Sequence, residues 1–171
     1  MEHLKVELTE EVIGNYKKLS ALLKESKPKK FDMSTYAKTF EEGYSYEAGV
    51  ELEPWEVYKN QGCDTAGCAL GWAVFYGIGV VGGDWGWGSY YTANFAGEGE
   101  YVGRYYDDPT FVWCFDPLWE GVDNTPQGAA ARIDYMLEHG IPWDYVRQSN
   151  GNNTYVFHRD VSVWEEEQEV E

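Results

Sequence analysis

One segment limits the fold more than any other. Residues 66–76 are apolar nearly all the way round a helical wheel: Cys68, Ala69, Leu70, Trp72, Ala73, Val74 and Phe75 leave no polar face. A helix of that kind is stable only when protein covers every side of it. The pattern predicts a buried central helix, capped by Asp64 or Thr65 and stopped by Gly77 and Gly79. Gly67, Ala69, Gly71 and Ala73 are small, which lets another backbone come close, and Cys68 falls near the third helical position.

Two more helices follow from spacing and punctuation. Thr9 precedes Glu10 and Glu11, and Val12, Tyr16, Leu19 and Leu23 recur at helical intervals, with Lys17, Lys18 and Lys24 later. That predicts an amphipathic helix over residues 10–25, ended before Pro28. Thr125-Pro126 opens a helix over residues 126–139, with Ala129, Arg132, Ile133, Met136 and Leu137 on one face and Gly140 and Pro142 at its stop.

The remainder reads as extended or irregular. Residues 31–40 form a short helical or extended element, 50–52 a short strand, and 111–115 a buried strand. Residues 82–106, rich in Gly, Trp and Tyr, suggest short strands and aromatic-packed loops. Residues 143–147 make one more turn, 150–153 a tight turn and 155–163 a strand. The expected class is α+β: a single domain with short antiparallel strands around the central helix. Residues 1–30 would be the amphipathic helix and a basic hinge, 31–164 an acidic body, and 165–171 an acidic tail.

Composition sets bounds on function. The chain of 171 residues is 43% hydrophobic and carries 8 Trp, 14 Tyr and 7 Phe, enough for a core and unlike a disordered chain. Its longest apolar run, 69–81, is interrupted by Gly71, Gly77 and Gly79 and is too short to span a bilayer. Met1-Glu2-His3-Leu4-Lys5 lacks a basic-then-apolar export pattern. A cytoplasmic protein is expected, with Cys63, Cys68 and Cys114 as reduced thiols.

Charge is unevenly placed. Residues 1–30 hold seven lysines against five glutamates, whereas residues 31–171 hold six basic and twenty-five acidic groups, within a total of −17. Such a body repels nucleic acid and anionic membrane and attracts basic surfaces, which in cells mostly serve to hold nucleic acid.

Cys63-Asp64-Thr65-Ala66-Gly67-Cys68-Ala69-Leu70-Gly71-Trp72-Ala73 resembles a recurring stretch, C-[GD]-T-x-x-C-x-x-G-x-A, of small uncharacterised bacteriophage and bacterial proteins. The upstream Phe31-Asp32-Met33-Ser34-Thr35-Tyr36 agrees with it, as does the downstream segment 115–119 leading to Thr125-Pro126. The resemblance implies a phage or bacterial setting, hence a host cytoplasm if phage-encoded, and brings no activity, cofactor or catalytic residue.

Four functional readings compete with plain packing and solubility. A thiol at a helix start can be a nucleophile, so Cys63 or Cys68 with His158 as base, oriented by Asn152 or Asp160, outlines a cysteine hydrolase. Cys63, Cys68, Cys114, His139 and His158 lack a second close ligand pair for zinc, so neither metal nor cofactor is expected. Trp85, Trp87, Tyr90 and Tyr105 form an aromatic set suited to protein contacts. Glu41, Glu42, Glu47, Glu51, Glu53, Glu56, Asp107 and Asp108 lie in acidic clusters and are placed to imitate DNA phosphates. The leading expectation is a non-enzymatic, phage-type acidic binding protein. It would occlude a basic, nucleic-acid-binding host protein or defence complex of the CRISPR or restriction kind, without touching nucleic acid or membrane itself. The N-terminal helix would fold back on the body or mediate self-association. The alternatives are the hydrolase and an interaction module whose acids only confer solubility.

Overall fold

Thr9 opens the first helix as its residue type requires. Its Oγ1 accepts from the Val12 N–H at 3.2 Å, and its carbonyl accepts from Ile13 at 3.0 Å. In chain order the elements are β1 (His3–Leu4), α1 (Glu10–Ser26), β2 (Lys38–Thr39), β3 (Val50–Glu51), α2 (Pro54–Asn60), β4 (Thr65–Ala66), α3 (Ala69–Phe75), α4 (Trp87–Asn94), α5 (Pro109–Phe115), α6 (Pro126–His139) and β5 (Ile141–Pro142). Short 3-10 turns occupy Tyr105–Asp107 and Pro117–Gly121. This is a computed structural model, and it describes residues 2–26, 31–39, 50–60, 65–97 and 105–142. The features expected at 143–147, 150–153, 155–163 and 165–171 lie outside the described residues.

The fold is α+β. Helix α1 buries Val12, Tyr16, Leu19 and Leu23, its predicted stripe, and packs along α6. Each such side chain contributes about 1.5–3 kcal/mol when fully covered. Ser20 Oγ donates to Asp134 Oδ1 at 2.5 Å, and Lys24 pairs with the same carboxylate. Helix α1 therefore lies against the body. Two small antiparallel sheets complete the frame: β1 with β5, in register His3↔Pro142 and Leu4↔Ile141, and β3-β2-β4.

The central helix is present but shorter than expected. α3 begins at Ala69, with Cys68 as its N-cap and no side-chain cap. The competing demand comes from the sheet: residues 65 and 66 pair with 39 and 38, Gly67 bridges Phe31, and the Cys68 N–H donates to Thr35 at 2.8 Å. Cys68 thus precedes the helix rather than standing at its third position. The small residues do admit a second backbone. A Cβ at Gly67 would lie 2.5 Å from the Tyr36 carbonyl oxygen, and one at Gly71 would overlap it. Gly77 and Gly79, at φ 69° and 73°, end the helix as predicted.

Three segments differ from expectation. Residues 111–115 are helical, not a strand: Asp108 caps α5 by accepting from the Thr110 N–H at 2.9 Å, with Pro109 in the first turn. Within the irregular region 82–106 lies α4, and α2 follows the short strand at Val50–Glu51. Residues 31–39 are extended, through the Phe31 bridge and β2. α6 runs over its predicted span, capped by Thr125 Oγ1, which accepts from Gly128 at 3.0 Å, and stopped by Gly140 at φ 90°.

The core is aromatic. Tyr16 meets Phe95 edge-on at 5.0 Å, Phe95 meets Phe115 at 5.5 Å, and Tyr91 meets Phe111 at 5.1 Å. Buried hydroxyls find acceptors: Tyr16 donates to the Phe95 carbonyl at 3.0 Å and Tyr90 to the Ile78 carbonyl at 2.6 Å. Among the described residues no helix is long and apolar enough to cross a membrane.

Candidate functional site

α2 and the start of α4 bring together the acids and aromatics that remain on the surface. Glu53 is the residue before Pro54. Its carbonyl accepts from Glu56 and Val57, while the Glu56 carboxylate accepts from the Glu53 N–H at 2.9 Å. That reciprocal pairing fixes the first turn of α2. The Glu53 side chain then stands at the amino end of α4, where a Cβ on Gly86, the N-cap, would be 3.5 Å from its carboxylate. A carboxylate is favoured at that end of a helix dipole. Glu51 and Glu53 are exposed and Glu56 is half-buried. Lys38 stands opposite Glu51 in the sheet register, and Lys59 lies over the Trp55 ring at 4.8 Å.

Beside these acids is a tyrosine group. Tyr36 stacks on Trp87 at 5.2 Å, and its hydroxyl lies 3.1 Å from that of Tyr105. Tyr105 rests on Gly88, where a Cβ would come within 2.7 Å of the ring, and its centroid is 3.9 Å from that of Tyr106. Burial raises the pKa of Tyr36 first, and the Tyr105 and Tyr106 hydroxyls raise it further. Burial likewise raises Tyr105, with the Tyr106 hydroxyl and the Glu53 charge adding to it. These phenols are uncharged donors and acceptors at neutral pH. Tyr106 is 40% exposed and Tyr58, on α2, 54%.

The sequence-predicted residues divide sharply. Glu53 stands near Tyr105, Glu56 is tied to the Glu53 backbone, Glu51 is exposed on β3, and Trp85 is half-buried over Gly82. Asp107 ends the 3-10 turn Tyr105–Asp107. Trp87, Tyr90 and Asp108 are corrected: they are 8%, 0% and 1% exposed and belong to the interior. Trp87 Nε1 donates to the Leu52 carbonyl at 2.9 Å, and Asp108 accepts from Thr110 and Tyr91, so neither can meet a partner. Glu41, Glu42 and Glu47 lie outside the described residues. Tyr58, Trp55 and the first turn of α2 were missed, although Glu53-Pro54 followed by Glu56 is a legible helix start.

No family model, no curated protein and no solved structure matches the chain.

The thiol chemistry expected of Cys68 is not supported by its setting. Cys68 is buried, and burial pushes its thiol up to about 11 despite backbone N–H groups of Gly71 and Leu70 that pull it down. A nucleophilic cysteine needs the opposite shift. Cys63, His158, Asn152 and Asp160 lie outside the described residues. Among the described residues no group of three His, Cys, Asp or Glu side chains gathers as a metal site would require.

Proposed function

We propose that the surface carrying Glu53, Glu56, Tyr105 and Tyr106 binds a basic, nucleic-acid-handling protein and competes there with nucleic acid. The observation that carries this reading is Glu53: an exposed carboxylate held by a fixed helix start beside a partly exposed tyrosine pair. Carboxylates in a body of this charge steer a basic partner and stand in for phosphates. Tyrosine faces add the apolar and cation–π contacts that favour arginine and lysine and that phosphate mimicry alone lacks. The phage-like motif at residues 63–73 suits a setting in which blocking host nucleic-acid machinery is useful.

The test uses the full chain as bait in bacterial lysate across a salt series, followed by competition with duplex DNA. Capture of a basic protein that is lost steeply as salt rises, and displaced by DNA, is expected. Glu53→Lys and Tyr106→Ala should each weaken it. Capture insensitive to salt and DNA, or unchanged in both variants, would reduce the acids to a solubilising surface.

A further inference from the structure

The start of α4 is open on two sides because it carries glycine at Gly86 and Gly88. Glu53 stands in the first opening, where a Cβ on Gly86 would be 3.5 Å from its carboxylate. The Tyr105 ring fills the second, within 2.7 Å of a Cβ on Gly88. Carboxylate and ring are thus neighbours, close enough that the Glu53 charge helps to hold the Tyr105 proton in place. Tyr106 continues the aromatic surface: its centroid is 3.9 Å from that of Tyr105, at an interplanar angle of 33°, and it is 40% exposed. Phe111 backs both rings edge-on, at 5.0 and 5.6 Å. Glu53 is exposed, and no ion pair among the described residues involves it. Two lysines of the same region stand elsewhere, Lys59 over the Trp55 ring and Lys38 opposite Glu51 in the sheet.

We propose that Glu53 and the Tyr105–Tyr106 pair seat an arginine side chain of the partner in preference to a lysine. The inference rests on the proposed function and specifies the side chain that this surface recognises. A cation bound here meets a carboxylate and an aromatic ring together. A guanidinium satisfies both, because its edge donates N–H bonds to a carboxylate while its flat face rests on a ring. An ammonium is a compact, strongly hydrated point charge that gains the carboxylate's attraction without stacking. The seat is held in shape before binding. The Glu53 N–H donates to the Glu56 carboxylate at 2.9 Å and its carbonyl accepts from Glu56 and Val57, while Gly88 and Phe111 fix the rings. A preset site loses little conformational freedom on binding. The excess of acid over residues 31–171 draws arginine and lysine alike. The ring beside the carboxylate is what separates them.

Titration of the full chain with end-capped tetra-arginine and tetra-lysine peptides, at one low ionic strength, tests this by calorimetry. The arginine peptide is expected to bind about fivefold more tightly. Glu53→Gln and Tyr106→Leu should each bring that ratio close to one, and Tyr106→Phe, which keeps the ring, should preserve it. A readout that needs no variant is the ring proton signals of Tyr105 and Tyr106, which should move more with the arginine peptide than with the lysine peptide. Equal affinities, a ratio unchanged in both Glu53→Gln and Tyr106→Leu, or ring signals indifferent to the choice of peptide would overturn the seat. The two readings fail separately. Equal affinities alongside a salt-sensitive, DNA-displaced partner in lysate would remove the arginine seat and leave the proposed function standing. An arginine preference without such a partner would keep the seat and remove the wider function.

Discussion

Arg132 puts a guanidinium where its helix faces the core, 1% exposed. It lies 4.3 Å from the Trp119 ring centroid, and Nη1 reaches the Asp123 carbonyl only at 3.5 Å. Among the described residues Nε and Nη2 have no hydrogen-bond partner, and burial lowers the pKa to about 10 despite the nearby Asp123 charge. Long apolar side chains often replace such a group without loss. Arg132→Met is therefore expected to stay within about 1 kcal/mol of the parent, whereas Arg132→Ala loses about 2–4 kcal/mol to the cavity. Urea denaturation of the two variants decides it, and equal losses would mean that the charge itself is stabilising. The sequence placed Arg132 on the apolar face of α6 but gave no sign of its depth. Trp87, Tyr90 and Asp108 were misplaced for the complementary reason. Aromatic and acidic residues are common both at surfaces and as anchored interior groups, and only the carbonyl acceptors of Leu52 and Ile78 and the N–H donor of Thr110 separate the two roles.

Three helices open with a capping residue followed by proline: Glu53-Pro54, Asp108-Pro109 and Thr125-Pro126. Only the last was read as a helix from the sequence, because a helical apolar period follows it. After Asp108-Pro109 comes an unbroken apolar run of five, which fits a buried strand as well as a buried helix turn. α4 left still less signal, since its Gly86 cap and Gly88 are there to admit Glu53 and Tyr105. The caps are unequal in consequence. Thr125 is exposed, and Thr125→Ala is expected to cost about 1 kcal/mol. Asp108 is buried and also accepts from Thr110 Oγ1 and the Tyr91 hydroxyl, each at 2.5 Å. Asp108→Ala leaves those donors stranded and is expected to cost about 2–4 kcal/mol. Comparable losses in denaturant for the two variants would contradict the buried network.

Across the whole molecule, burial acts on acids more than on bases. Tyr16, Tyr36, Tyr90, Tyr91 and Tyr105 hold their protons above the ordinary value of 10.0, with burial the leading cause in each. Cys114 is likewise raised, and Cys68 goes from 9.0 to about 11. The unfolded chain releases these protons first, so it binds fewer of them once pH exceeds about 9, and stability falls as pH rises. Arg132 opposes this, because its folded form sheds a proton near 10 that the unfolded chain keeps. Seven acids outweigh one base. The melting temperature should hold steady up to about pH 9 and decline above it, with part of the tyrosine absorbance change appearing only on unfolding. Ionisation of every tyrosine in the folded protein at its ordinary pH would refute the packing described. Of this scale the sequence conveyed the class, the outer helices and the excess of acid. It did not convey which acids meet which aromatics, because that depends on β2, β4 and the Tyr36 backbone lying against Gly67 and Gly71.

The pairing of α1 with α6 has a consequence during synthesis. The stripe of Val12, Tyr16, Leu19 and Leu23 is complete when residue 26 is made, but α6, the helix α1 packs along, begins at residue 126. At about 5–20 residues per second, the ribosome leaves that stripe without its partner for roughly 5–20 s. The helix easiest to recognise in the sequence is thus the one the growing chain must shield longest.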